Sequence, residues 1–135
     1  MRDLWIIRRN DYTILADCGT VTPDSTVAAL RQLGQVPGRH IAILEDVPDL
    51  GARNQAEHYR MGRIAAENAE ILLAWGVNGR RMVMGAITGG MREQKAMTFD
   101  DQNALAATLH RMTKPGDTVL FVGSFERLEQ LFPDE

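Results

Sequence analysis

Three carboxylates, Glu45, Asp46 and Asp49, fall inside the stretch EDVPDLG, close enough together to attract an ammonium group or to share a magnesium ion with a phosphate. The alternative is a solvated acidic loop. Its spacing matches no calcium-binding loop, so a metal held by the protein alone is not expected. A second polar cluster, TVTPDS, follows Asp17. Thr22 suits an N-cap, Pro23 the first helical position, and Asp24 and Ser25 the first turn. The same helix start offers backbone N–H groups that, with Asp17 beside them, would receive a nucleotide or substrate. A cap accounts for most of these residues, and the local sequence leaves both readings open. His58 lies downstream on a helical pattern, where a lone His is more often a surface or satisfied core residue than a base; His40 and His110 have no stronger claim.

What is missing also constrains the chemistry. No stretch reads Gly, four residues, then Gly-Lys-Ser or Gly-Lys-Thr, and no Gly-x-Gly-x-x-Gly follows the first strand, so neither standard phosphate grip is present. There is no Gly-x-Ser-x-Gly elbow, and Cys18 has no His near it in sequence, which leaves nucleophilic catalysis without support. No catalytic residue and no metal ligand is assigned.

The 135 residues suit one domain, 1–135, large enough to bury a core without disulfides or metals. A net charge of −3 with Lys and Arg scattered along the chain gives no basic stripe, so nucleic acid is not an expected partner. The single cysteine makes no internal disulfide, and the opening MRDLWIIRRND carries charges where a signal core would be apolar, which points to a cytoplasmic location. No apolar run approaches the roughly 20 residues that cross a bilayer, so no membrane association is expected.

Elements that would position these groups follow from the apolar pattern. LWIIRR and YTILAD flank the turn pair Asn10-Asp11 and read as a hairpin. HIAILE, EILLAW and DTVLFV are short apolar runs of the kind buried on both faces of a parallel sheet, with a weaker strand at AMTF. Helices are expected over 24–33, 55–68, 78–86, 101–112 and 126–132, with Gly- or Pro-rich breaks between elements. The result is an α/β fold: a Rossmann-like, mostly parallel sheet with helices on both faces, preceded by an antiparallel hairpin. Ligands bind such sheets beyond the carboxyl ends of the strands, so Asp17, Asp46 and Ser124 are expected near one another.

Read in order, four segments resemble the C-terminal domain of the Mur ligases, most closely the branch that adds D-alanyl-D-alanine. They are ILADCGTVTPDSTVAAL, PGRHIAILEDVPDLG, EHYRMGRIAAENAEILLAWG with His58 and Gly62 at family spacing, and KPGDTVLFVGSFERLEQL. The resemblance covers nearly the whole chain but only the closing part of such an enzyme. It implies a domain that presents an amino acid or dipeptide and contacts a nucleotide, in an enzyme joining a carboxylate to an amine through an acyl phosphate. ATP and magnesium would enter only with the complete ligase, whose central domain, in cis, carries the P-loop. The alternative is a free-standing, degenerate binding or interaction module with an unknown protein partner.

The positions implied for substrate or nucleotide binding are Asp17, Thr22, Asp24, Ser25, Asp46, His58 and Ser124. Departures from the family pattern are concentrated at the same loops. Gly19, Thr20 and Thr22 stand where the family turn has Tyr and two Asn, Glu45 replaces a Gly, and Val47 replaces a Met. Val122 and Phe125 stand where it has Lys and Arg, so two cationic groups are expected to be lost. Val122 would then end a buried strand and Phe125 pack under the last helix.

Overall fold

The computed structural model describes residues 4–133. Strands β1 (Trp5–Arg8) and β2 (Thr13–Asp17) form the antiparallel hairpin, with the Arg9 N–H donating to the Tyr12 carbonyl at 2.9 Å across the Asn10-Asp11 turn. Then follow α1 (Pro23–Gly34), β3 (His40–Glu45), α2 (Asn54–Asn68), β4 (Ile71–Trp75) and α3 (Gly79–Thr88). The chain closes with β5 (Ala96–Phe99), α4 (Gln102–Met112), β6 (Thr118–Val122) and α5 (Phe125–Leu131). The six strands form one sheet in the order β1-β2-β6-β3-β4-β5, parallel throughout except for β1. Both the α/β class and the hairpin followed by a parallel sheet are as the apolar pattern predicts, and each helix boundary agrees to within two residues.

Side-chain alternation along each strand feeds two separate cores. Ala42 and Leu44, Leu72 and Ala74, and Leu120 and Val122 face α1, α2 and α3. Ile41 and Ile43, Ile71 and Leu73, and Val119 and Phe121 face α4 and α5. This two-sided burial is why the central strands read as unbroken apolar runs. The edge strand β1 is different, leaving Trp5 57% and Ile6 60% exposed.

Helices α2 and α3 approach closely because each offers the other a glycine. A Cβ on Gly62 would lie 1.8 Å from the Met82 carbonyl oxygen, and one on Gly85 would lie 2.0 Å from that of Tyr59. Arg39 and Asp117 pin the opposite, amino edge of the sheet, with Nη2–Oδ2 2.7 Å and Nε–Oδ1 3.0 Å. Burial acts to raise the Asp117 carboxyl, but hydrogen bonds from Arg39 and the Lys114 N–H outweigh it and hold the group below the usual carboxylate range. No helix among the described residues is long and apolar enough to cross a membrane.

Candidate functional site

Chain direction changes at the carboxyl edge of β6. From β2, β3 and β4 the chain turns toward the α1–α3 face, whereas from β6, lying between β2 and β3, it turns toward the α4–α5 face. In parallel sheets such divergence marks the switch point of the fold. The side chain at this point is Glu45, the last residue of β3. Its Oε1 accepts the Ser124 N–H at 3.1 Å, and Oε2 lies 3.4 Å from the Ser124 hydroxyl and 2.5 Å from Arg127 Nε. Arg127 also donates through Nη1 to Gln102 Oε1, and its guanidinium carbon sits 3.6 Å from the centroid of the Trp75 ring. Four elements therefore converge: the ends of β3 and β4, the start of α4, and the β6–α5 turn.

That turn is fixed by local chemistry. The Ser124 hydroxyl caps α5 by accepting the Arg127 N–H at 3.2 Å. The Gly123 N–H donates to the Asp17 carbonyl at 3.1 Å, tying the turn to the end of β2. A Cβ on Gly123 would lie 2.5 Å from the Glu45 carboxyl carbon, so a side chain there would displace Glu45 from its present position. Asp17 is buried, and its Oδ1 accepts the Gly19 N–H at 3.2 Å. The neighbouring Cys18 thiol is pushed up to about 11, first by burial and then by the charges of Asp17 and Glu45. This corner of the edge is electrostatically negative, and it keeps the thiol from acting as a nucleophile at neutral pH.

Two shallow depressions continue the edge beyond β4. One of about 230 Å³ is lined by Gly76, Val77, Arg80, Thr98, Phe99 and Asp100. The other, about 490 Å³, shares Val77 and Arg80 with it and reaches Asn54, Asn78 and Met84.

The sequence matches the family described as "Mur ligase, glutamate ligase domain" over residues 3–125. The chain belongs to the Mur ligase family. It is 32% identical over 129 residues to the UDP-N-acetylmuramoyl-tripeptide–D-alanyl-D-alanine ligase of Treponema pallidum, covering 91% of this chain and 28% of that enzyme. The corresponding enzyme of Mycobacterium leprae is 27% identical, with 87% and 26% covered. Among solved structures, MurF of Thermotoga maritima in complex with ADP superposes with a TM-score of 0.75 at 19% identity, covering 93% of this chain and 28% of that one. MurF of Acinetobacter baumannii gives 0.77 at 23% identity, with 94% and 28% covered. This Mur ligase domain thus spans about a quarter of the length of the relatives it matches.

Within the Mur ligase domain, the residues expected to bind substrate or nucleotide scatter along the carboxyl edge. Asp17 and Ser124 lie at the ends of the paired strands β2 and β6, but Asp46 turns away from them. Its Oδ2 accepts the Asn78 N–H at 3.1 Å and Asn78 Nδ2 at 3.0 Å, while Asn54 Nδ2 donates to Asn78 Oδ1 at 2.7 Å. Asp46 clamps the β3 and β4 loops together, and Glu45 is the carboxylate that reaches Ser124. Thr22 and Ser25 form a reciprocal capping box, with N–H to side-chain oxygen distances of 3.0 and 2.9 Å. Asp24 is solvent-exposed and meets Arg60 at 3.2 Å.

His58 is fully buried beneath the β3–α2 loop, where Nε2 accepts the Val47 N–H at 2.9 Å and Nδ1 donates to the Asn54 carbonyl at 2.8 Å. It shapes the acidic loop from below. Val122 ends a buried strand as expected. Phe125 does not pack under the last helix: it is 47% exposed and stands edge-on to Trp5, ring centroids 5.9 Å apart. As the first residue of α5 it points toward the edge strand, which offers an aromatic partner. Sequence reasoning passed over Arg127, whose charge at this turn is paired with Glu45. The signal for it was the spacing: Ser124 as N-cap places the residue three positions later back over the same turn.

Proposed function

We propose that this chain is the amine-presenting domain of an ATP-dependent carboxylate–amine ligase of peptidoglycan precursor synthesis, acting in the cytoplasm and inactive alone. The observation that carries the reading is the family match over nearly the whole described fold, together with the change of crossing direction at its carboxyl edge. The domain would hold an amino acid or dipeptide at that edge and meet a nucleotide held by a central domain in cis. Asp17 and Asp100 would supply the negative field that draws the incoming ammonium group to the edge, Glu45 being paired with Arg127.

This chain carries no triphosphate grip, and among the described residues no three His, Cys, Asp or Glu side chains group to hold a metal. Those residues do not make a site for ATP with magnesium on their own. In the complete ligase ATP would activate the carboxylate as an acyl phosphate, and this domain's part would be to orient the amine.

A second reading, a free-standing binding module, is favoured by one observation: Thr22, Ser25, Asp46 and His58 commit polar atoms to the fold. The purified chain, assayed for ADP release dependent on magnesium and D-alanyl-D-alanine, is expected to show none. The same chain added to the separately purified amino-terminal and central domains of the Treponema relative is expected to restore turnover. Turnover by the chain alone would overturn the division of labour, and failure to restore it with folded partners would favour the module.

A further inference from the structure

The amino edge of the sheet carries a hollow that the candidate site does not use. It lies where α2 ends before β4 and α3 ends before β5, and it measures about 420 Å³, a size that suits a small molecule. It stays open because the residues around it are small. Ala66 and Ala69 come from the end of α2, and Gly90, at φ 106°, turns the chain past α3 with nothing within 4 Å of where a side chain would start. Met91 completes the floor, and both it and Ala69 are buried.

The rim is cationic. Arg39, Arg92 and Lys95 border the hollow, and Glu70 is the one carboxylate among the residues that line it. Arg39 is committed to Asp117 through Nε and Nη2. Glu70 accepts the His40 N–H at 3.2 Å and stands 4.0 Å from that imidazole. Arg92 and Lys95 have no such tie: neither side chain makes a hydrogen bond or an ion pair to any described residue, although Lys95 is half-buried. A half-buried cation gains more from an arriving anion than a fully solvated one does. The carboxyl ends of α2 and α3 also favour cations here. Their carbonyls, however, accept main-chain N–H groups, Ala65 from Ala69 at 2.8 Å and Ala86 from Met91 at 3.0 Å, rather than either side chain. With Arg39 balanced by Asp117, and Glu70 set against one of the two remaining cations, the hollow keeps a single positive charge above an apolar floor. That matches a ligand with one negative charge and a short apolar body.

We propose that this hollow binds a small amphipathic carboxylate, its head between Arg92 and Lys95 and its apolar body on Ala66, Ala69 and Met91. The hollow lies at the opposite edge of the sheet from the Glu45 cluster, so it is a separate site whose occupancy does not depend on the ligase reading.

The test titrates the chain with hexanoate, acetate, hexanol and hexyl phosphate while the backbone amides are followed by nitrogen-15 NMR. Hexanoate is expected to shift the amides of Ile71, Met91 and Lys95 and to bind at least about tenfold more tightly than acetate or hexanol. Arg92→Gln combined with Lys95→Gln is expected to bring hexanoate down to the hexanol level. Ala66→Leu, which fills the hollow and keeps both cations, is expected to bring it down to the acetate level. Hexanoate binding no tighter than acetate or hexanol, or shifts confined to other parts of the chain, overturns the proposal, as does undiminished hexanoate binding in the folded charge variant. Hexyl phosphate binding more tightly than hexanoate overturns the assignment to carboxylates. If Ala66→Leu does not fold, the charge variant, which alters only side chains without partners among the described residues, still decides.

Discussion

Gly62→Ala sets two effects of opposite sign against each other. In a helix interior the change from Gly to Ala is worth about 1 kcal/mol of stabilisation from propensity alone. Against this, the new methyl carbon would lie 1.8 Å from the Met82 carbonyl oxygen, 2.7 Å from its carbon and 3.0 Å from the Ala86 nitrogen. All three are backbone atoms, so no rotamer change relieves them. Restoring ordinary contact distances moves α3 outward by about 1.5 Å and loosens the buried side chains of Met61, Met82 and Ala86. Overpacking of this kind costs typically about 1–3 kcal/mol, and a backbone collision belongs at the upper end. The net expectation is a loss of about 2 kcal/mol. With an unfolding entropy of about 2.1 cal/mol/K per residue, that lowers Tm by about 7 °C in a chain of this length. Scanning calorimetry, or thermal melting followed by circular dichroism, reads the shift. An unchanged or raised Tm would refute the reasoning, because it would mean that propensity wins and that the helices are not in backbone contact. Gly85→Ala should act similarly, and the double variant should lose less than the sum, since the first substitution already separates the helices.

Replacing His58 with Leu puts an apolar side chain of similar size in its place but leaves the Val47 N–H without its acceptor; urea unfolding should show a loss of about 2–3 kcal/mol, with faster hydrogen exchange at Val47. A loss below about 1 kcal/mol would remove the case for His58 as the support of the acidic loop. Asp117 gives a pH dependence of defined sign. Its carboxyl is held below the ordinary value in the folded chain, so the stability it contributes is full above the unfolded-state range near pH 4 and drains away as pH falls through the folded value. Asp117→Asn should cost about 2–3 kcal/mol at pH 7 and flatten the decline of stability between about pH 5 and 3; an equally steep acid decline in the variant would assign that decline to other carboxylates.

The fold was legible because burial on both faces writes itself into β3, β4 and β6 as continuous apolar runs, while α1 carries its own start signal at Thr22. The site was less so, for geometric reasons. Glu45 and Asp46 are adjacent, and the end of a strand sends consecutive side chains to opposite sides. Composition therefore locates the acidic loop but not which carboxylate meets Ser124. Arg127 belongs to the site through helical spacing from Ser124 and through the Trp75 ring, a contact between residues far apart in sequence. Phe125 was misplaced for a related reason: its apolar type suggests the core, but its position on α5 faces β1, whose exposure is set by being at the sheet's edge.

The central position of β6 has a consequence for how the chain is made. Strands β2 and β3 each present a row of backbone donors and acceptors to β6, as in Leu15 opposite Leu120 and Ala42 opposite the same residue. Until residues 118–122 emerge from synthesis, those two rows face an empty slot one strand wide, about 10 Å across, with apolar groups above and below. Nothing local can close it, because the missing piece is the last strand of the sheet. The centre of the sheet can therefore form only once β6 is available to pair with both neighbours. Completion depends on contacts of long sequence separation, which slows assembly and lengthens the interval during which chaperones, or neighbouring copies of the same chain, compete for the slot.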